Sequence, residues 1–92
     1  MEKNYRLIDN NGLNARIASK MVGTFNKFPA NNVLITCNSR NADGKSILSL
    51  ITLVARKGEE LRISVSGDNA EDVFVALEKV LATFNPPVVE II

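Results

Sequence analysis

The chain has 92 residues, which suits one small domain with a single core, and its 46% apolar and 23% charged residues indicate a globular protein rather than a disordered segment. Eleven Lys and Arg against ten Asp and Glu leave a formal charge of +1, so the basic excess typical of nucleic-acid binders is missing. There is no histidine, which excludes histidine metal sites, Ser-His-Asp or Cys-His catalysis and histidine phosphorylation.

The first half of the chain predicts a strand, a helix and two further strands. Residues 3–8 form a short strand, and the turn signal of residues 9–12 follows it. From 16 to 27 apolar residues recur with a helical period, and Arg16, Lys20 and Lys27 lie together at the margin of the apolar face. Residues 33–37 are a second strand, and a tight turn at residues 38–39 leads into a short third strand at 40–43.

The second half predicts a helix, a strand and a helix. Residues 46–54 suit either structure, but the sequence Arg56-Lys57-Gly58 is typical of a helix C-terminus and favours a short helix. Residues 60–66 alternate between apolar and polar side chains, as in a half-buried antiparallel strand. Asp68 and Glu71 resemble a capping box before an amphipathic helix that ends at residues 85–87, and the mostly apolar residues 88–92 lie outside this pattern.

The predicted order of elements is therefore β-α-β-β-α-β-α. Three helices confined to one face of a four-stranded antiparallel sheet form an α+β open-faced sandwich. We expect one domain over residues 1–85 and a C-terminal tail over residues 86–92. The outward-pointing Arg62 and Ser64 should lie on the open face of the sheet.

Cysteine usage and hydropathy bear on location. The single cysteine, Cys37, cannot form an internal disulfide, which fits a reducing, cytoplasmic setting. No apolar run approaches the ~20 residues of a membrane span, and the N-terminus lacks the apolar region of a signal peptide. We expect no metal, no cofactor, no membrane contact and no direct contact with nucleic acid.

Two short motifs carry a resemblance to a known family. Residues 11–18 read N-G-L-N-A-R-I-A, and residues 44–50 read G-K-S-I-L-S-L. The first resembles the active-site signature N-G-L-H-A-R-P-A, and the second the regulatory-serine signature K-S-I-M-G, of the HPr family, the phosphocarriers of the bacterial sugar phosphotransferase system. The resemblance covers about residues 3–84, and it implies the HPr-like fold.

The first motif departs from the family at the residue that carries its chemistry. Asn14 stands at the position of the phosphorylated histidine, and Ile17 at that of the proline. An amide nitrogen has its lone pair delocalised into the carbonyl and is not a nucleophile, so we expect no catalytic residue and no phosphate transfer from enzyme I. Asn14 is a good helix N-cap; alternatively, Asn14 and Arg16 bind an anion or phosphate at the helix N-terminus.

The second motif implies regulation. In Gram-positive relatives the serine that matches Ser46 is phosphorylated by HPr kinase/phosphorylase. The phosphoserine helps HPr, or its histidine-lacking paralogue Crh, to bind a LacI-type catabolite control repressor. The alternative is that Ser46 only caps a short helix.

Beside this serine, the resemblance implies a partner-binding surface. Three aliphatic residues match the family's apolar docking patch, and the cations Arg16, Lys20, Lys27 and Lys45 are expected around it. The alternative is that all three aliphatic residues belong to the core. The residues of this surface are Arg16, Lys20, Lys27, Ile47, Leu48 and Ile51.

Three hypotheses for the function remain. The first is a non-catalytic regulatory adaptor of the HPr/Crh type, switched at Ser46, whose partners are proteins of the phosphotransferase system or of catabolite control. The second is a phosphocarrier whose histidine is altered in this chain. The third is an interaction domain cut from a longer protein, which only the apolar residues 88–92 support. Ile17 and the lack of any histidine favour the first hypothesis over the second.

Overall fold

The eight elements of the computed structural model, which describes all residues 1–92, form one antiparallel sheet with three helices on one face. The elements are β1 (Glu2–Leu7), α1 (Ala15–Phe25), β2 (Asn32–Cys37), β3 (Arg40–Asp43), α2 (Ile47–Ile51), β4 (Glu60–Ser66), α3 (Ala70–Leu81) and β5 (Val89–Ile91). The strand order is β3-β2-β4-β1-β5, so β3 and β5 are the edges. None of the helices has the length and apolar character that crossing a membrane requires.

The orientation of the sheet follows from the alternating sequence of β4. Its apolar side chains Leu61, Ile63 and Val65 are each 1% exposed. Arg62 is exposed on the opposite face, where it lies between Asn4 of β1 and Thr36 of β2. The predicted open face of the sheet is therefore confirmed.

Each of the two longer helices buries one apolar face against the other side of the sheet. The five-residue α2 is too short to do the same and contributes only Leu50 to the core. Most side chains of α2 therefore remain outside the core. The helical core residues are Ile17, Ala18, Met21, Val22 and Phe25 of α1 and Val73, Phe74, Leu77 and Leu81 of α3.

The sheet has a fifth strand that the predicted four-stranded sheet lacks. Residues 88–92, which we expected to lie outside the domain pattern, include β5, which pairs with β1 in the register Tyr5↔Ile91 and Leu7↔Val89. Without β5 the hydrogen-bonding groups along one side of β1 would form a sheet edge. Four apolar residues and one glutamate after two prolines carry too little periodicity to indicate that pairing.

Two helix ends differ from the prediction. Before α3, Asn69 has a φ of 60° and makes no side-chain cap, so the expected capping box of Asp68 and Glu71 is absent. An N-cap side chain reaches the helix N–H groups from extended backbone, not from a left-handed one. The helix α2 ends at Ile51 rather than near Gly58, whose N–H instead bonds to the Leu7 carbonyl at 2.7 Å.

Candidate functional site

Both polar atoms of the Asn14 side chain are hydrogen-bonded at the start of α1. Its backbone is extended, with a φ of −112°, and its Oδ1 accepts a hydrogen bond from the Ile17 N–H at 3.0 Å. Its Nδ2 donates to Asp9 Oδ2 at 3.4 Å. Asn14 is therefore the N-cap that the sequence predicts, and both of its polar atoms have protein partners. The Asp9 contact was not predicted, although an Asx turn at Asp9 was a signal for it.

The loop before Asn14 is held against the segment that follows α2. The Leu13 N–H donates to the Ala55 carbonyl at 2.9 Å. Gly12 has a φ of +68°, and a Cβ there would lie 2.4 Å from the same carbonyl oxygen. Glycine is therefore required for this close approach, which fixes where the N-terminus of α1 begins.

Arg16 is exposed at the first turn of α1 and lies over an aromatic ring. Its guanidinium carbon is 4.8 Å from the centroid of the Phe84 ring, in the segment after α3. The arginine forms no ion pair, since the salt bridges of the chain involve only Lys3 and Arg6 as cations. A cation–π contact orients the guanidinium without neutralising it, so its charge is available to a partner. The sequence indicated Arg16 as an anion-binding or partner-binding residue but did not indicate its contact with Phe84.

Ser46 begins α2 and caps it. Its Oγ accepts a hydrogen bond from the Ser49 N–H at 3.2 Å. The Oγ of Ser49 in turn accepts one from the Asp43 N–H at 2.9 Å, which ties α2 to the end of β3. Ser49 stands where the K-S-I-M-G signature has its glycine, and its hydroxyl therefore makes a structural contact. Ser46 itself is partly exposed, so its hydroxyl lies at the protein surface.

The three aliphatic residues of α2 form an exposed apolar patch. Leu48 is 75% exposed, Ile47 44% and Ile51 37%, whereas Leu50 is fully buried on the opposite side of the helix. Residues three and four positions apart are neighbours on a helix, so the three side chains lie together. Their exposure confirms that the patch is not part of the core.

Asn14 and Ser46 lie at opposite ends of the α1–α2 layer. The start of α1 is bonded to the segment after α2, while Lys45 Nζ donates to the Phe28 carbonyl at 2.8 Å and so joins the start of α2 to the end of α1. The two helices are therefore antiparallel. Because the 11 residues of α1 span about 16 Å, Arg16 and Lys27 lie at opposite ends of α1, with the Arg16 guanidinium over Phe84 in the segment after α3.

The groups with shifted pKa values lie away from these residues. Burial, followed by the hydrogen bond and charge of Glu78, raises the pKa of the Tyr5 hydroxyl. Burial of Glu78 itself acts to raise its pKa, but hydrogen bonds from Lys3 at 2.6 Å and Tyr5 at 2.7 Å bring that pKa below its ordinary value. Burial also raises the pKa of the Cys37 thiol. Each shift is explained by packing or by a structural contact.

Comparison with known proteins agrees with this geometry. A protein-family model described as the PTS HPr component phosphorylation site matches residues 1–83. The phosphocarrier protein HPr of Pseudomonas putida is 32% identical over 78 residues, which cover 85% of this chain and 87% of the relative. The structure of the histidine-containing phosphocarrier protein of Mycoplasma is similar with a TM-score of 0.83 at 26% identity, covering 88% of this chain and 91% of that one. The structure of Crh from Bacillus subtilis is similar with a TM-score of 0.65 at 25% identity, covering 78% of this chain and 82% of that one. The chain therefore belongs to the HPr family.

Proposed function

We propose that this protein is a non-enzymatic regulatory adaptor of the HPr/Crh type, which binds partner proteins but does not carry phosphate on residue 14. The observation that carries the proposal is the use of the Asn14 amide, whose oxygen caps α1 and whose nitrogen donates to Asp9. The nitrogen lone pair of an amide is delocalised into the carbonyl, and the carbonyl oxygen is a weak nucleophile, so this side chain is a poor acceptor for a phosphoryl group. The family's transfer of phosphate from enzyme I to a sugar-specific subunit would have no acceptor here.

Anion binding at Asn14 and Arg16 would be weak on this proposal. The exposed Arg16 guanidinium and the N-terminus of α1 both attract negative charge. The carboxylate of Asp9, however, lies 3.4 Å from the Asn14 amide nitrogen and would repel a bound phosphate. We therefore assign Asn14 to capping and Arg16 to contact with a partner protein.

The partner-binding surface would be the apolar patch of Ile47, Leu48 and Ile51 with its basic rim. Arg16, Lys20 and Lys27 are all exposed, and none is neutralised by an ion pair. Apolar side chains at the centre with unpaired cations around them suit a partner that has an apolar groove and an acidic rim.

Phosphorylation of Ser46 would switch this surface. The serine is partly exposed at the start of α2, where added negative charge is favourable, and it directly precedes the patch. By resemblance, the modifying enzyme would be HPr kinase/phosphorylase, and the reader of the phosphoserine a LacI-type repressor, both in the cytoplasm.

The test is incubation of the protein with enzyme I and phosphoenolpyruvate, and separately with HPr kinase/phosphorylase and ATP, each followed by intact mass. We expect no acid-labile phosphate from the first reaction and one acid-stable phosphate from the second, lost in Ser46→Ala. A stoichiometric acid-labile phosphate on the unaltered chain would overturn the proposal. Efficient acceptance by Asn14→His would instead favour the second hypothesis, a carrier with an altered histidine.

A second experiment tests the patch. Replacing Ile47 and Ile51 together with serine should weaken binding to HPr kinase/phosphorylase and lower the free energy of unfolding by no more than about 1 kcal/mol. The matched control is Val75→Ser, which alters an aliphatic residue that is 50% exposed on α3 and should leave binding unchanged. Unfolding of the double variant, or equal loss of binding in the control, would contradict the assignment.

A further inference from the structure

The outer edge of β5 presents unpaired backbone groups. The strand pairs with β1 on one side and has no neighbour on the other. The hydrogen bonds from Ile8 N to Val88 O and from Ile92 N to Asn4 O show that the even-numbered residues of this segment face β1. Because bonding groups alternate along an antiparallel pair, the N–H and C=O groups of Val89 and Ile91 point away from the sheet.

An apolar groove of about 300 Å³ lies between this edge and the end of α3. Ile91 is 58% exposed although it lies opposite the buried Tyr5, on the helix side of the sheet. A strand added to β5 would direct alternate side chains into this groove. The groove is lined by Leu81, Ala82, Phe84, Pro87, Val89 and Ile91, together with Tyr5 and Glu78, whose carboxylate is bonded to Lys3 and to the Tyr5 hydroxyl.

On the open face, the same edge carries excess negative charge. Arg6 lies opposite Glu90, and its guanidinium bonds to Glu90 and to Glu60 at 3.2 Å each. One arginine between two glutamates leaves this cluster with a net charge of −1. Because the Glu90 side chain is 52% exposed, a residue placed opposite it on an added strand could reach the carboxylate.

We propose that β5 binds an extended segment of a partner protein as a sixth strand, with a Lys or Arg opposite Glu90 and an apolar residue on each side of it. The backbone groups of Val89 and Ile91 would pair with the segment, its apolar side chains would enter the groove, and its cation would complete the charge cluster. This is recognition by strand addition. The β5 edge lies at the side of the sheet opposite β3 and α2, and the proposal does not rest on the proposed function, although Phe84 of the groove also contacts Arg16.

A second copy of the chain fits this edge less well than a basic segment. Antiparallel pairing of two β5 strands about Glu90 would align Val89 with Ile91 of the other copy and so match their bonding groups. It would also place the two Glu90 carboxylates directly opposite each other, where like charges are destabilising. Charge therefore selects a partner segment with a cation at that position.

The test uses a synthetic peptide with a central Val-Lys-Val flanked by threonines, titrated into the full chain and followed by NMR of the backbone amides. We expect saturable shifts at the β5 amides, and slower hydrogen exchange at Val89 and Ile91. A peptide with Glu in place of the Lys should bind roughly fivefold more weakly. The absence of saturable shifts on β5 at millimolar peptide would overturn the proposal.

Three variants sharpen this test. Glu90→Lys should reverse the preference between the two peptides, whereas Glu2→Lys, at the far end of β1 on the same face, should leave it unchanged. Ile91→Pro should abolish binding while keeping the fold, because the N–H that it removes points outward. Equal affinity of Glu90→Lys for both peptides, or concentration-dependent dimerisation through β5, would overturn the proposal, the latter in favour of a second copy.

Discussion

Val54, which follows α2, has a backbone conformation that β-branched residues rarely adopt. Its φ is 51°, in the left-handed region, where the Cβ of an L-residue approaches the following carbonyl oxygen at a cost of roughly 1–2 kcal/mol. The side chain is 56% exposed, so burial compensates for little of this strain. We predict that Val54→Gly does not destabilise the domain.

The magnitude follows from comparison with Val75, which is 50% exposed in the regular helix α3. Val54→Gly should gain about 2 kcal/mol of released strain, the upper end of the range because valine is β-branched. It should lose about 0.75 kcal/mol through the entropy of the unfolded chain and about 0.6 kcal/mol of apolar burial. The net gain is about 0.65 kcal/mol by these values. Val75→Gly loses similar burial together with helix propensity, a loss of about 1 kcal/mol. The two variants should therefore differ by about 1.5 kcal/mol.

The assay is urea unfolding of the wild type and both variants, with the slopes compared to show that the unfolded states are alike. A difference of about 1.5 kcal/mol corresponds to about 6–12 °C in the melting temperature of a domain of this size. Val54→Ala, which keeps the Cβ, should retain most of the strain. If Val54→Gly destabilises as much as Val75→Gly does, the left-handed strain is not present and the reasoning is wrong.

Three other changes test separate contacts. Gly23→Ala should raise the free energy of unfolding by about 0.5–1 kcal/mol, because the added Cβ meets no atom within 4 Å in α1; an unchanged melting temperature would contradict this. Asn31→Ala should lower the free energy of unfolding by about 2 kcal/mol, since the buried amide donates to the Ser66 and Asp68 carbonyls at 3.0 and 2.8 Å. A loss below about 0.5 kcal/mol in urea unfolding would contradict this. Glu78 has a lowered pKa in the folded state, so its contribution is present above its unfolded pKa of about 4.3 and is lost as the pH falls through the folded pKa. Glu78→Gln should therefore lose less stability than the wild type does between pH 5 and about pH 2. If the free energy of unfolding of both proteins falls equally over this range, the pKa of Glu78 is not lowered in the folded state.

Periodicity predicted the elements that have one buried face. The helix α1 and the strand β4 could be read from the sequence because each presents a repeating apolar side to a single core. The cap at Asn14 was also predictable, since a capping side chain acts on residues three positions along the chain. These features depend on local sequence, which is why they were found.

The features that the sequence did not reveal depend on distant partners. β5 is a strand because β1 has a free side, and nothing within residues 88–92 indicates that neighbour. The contact of Arg16 with Phe84 joins residues that only the packing of α1 against α3 brings together. The left-handed backbone at Val54 contradicts local preference, because glycine or asparagine is expected there. No periodicity in the sequence encodes such contacts.

Helix capping and phosphate acceptance make different chemical demands on the side chain at residue 14. Capping needs only a hydrogen-bond acceptor such as the Asn14 oxygen, which accepts from the Ile17 N–H, whereas phosphate acceptance needs a nucleophile, which an amide is not. An asparagine cap stabilises a helix by about 1 kcal/mol over alanine, so loss of the nucleophile need not weaken the fold. The apolar patch on α2 lies on a different helix and makes no use of residue 14. A carrier can therefore lose its histidine, keep its stability and retain the surface that the proposed adaptor would use.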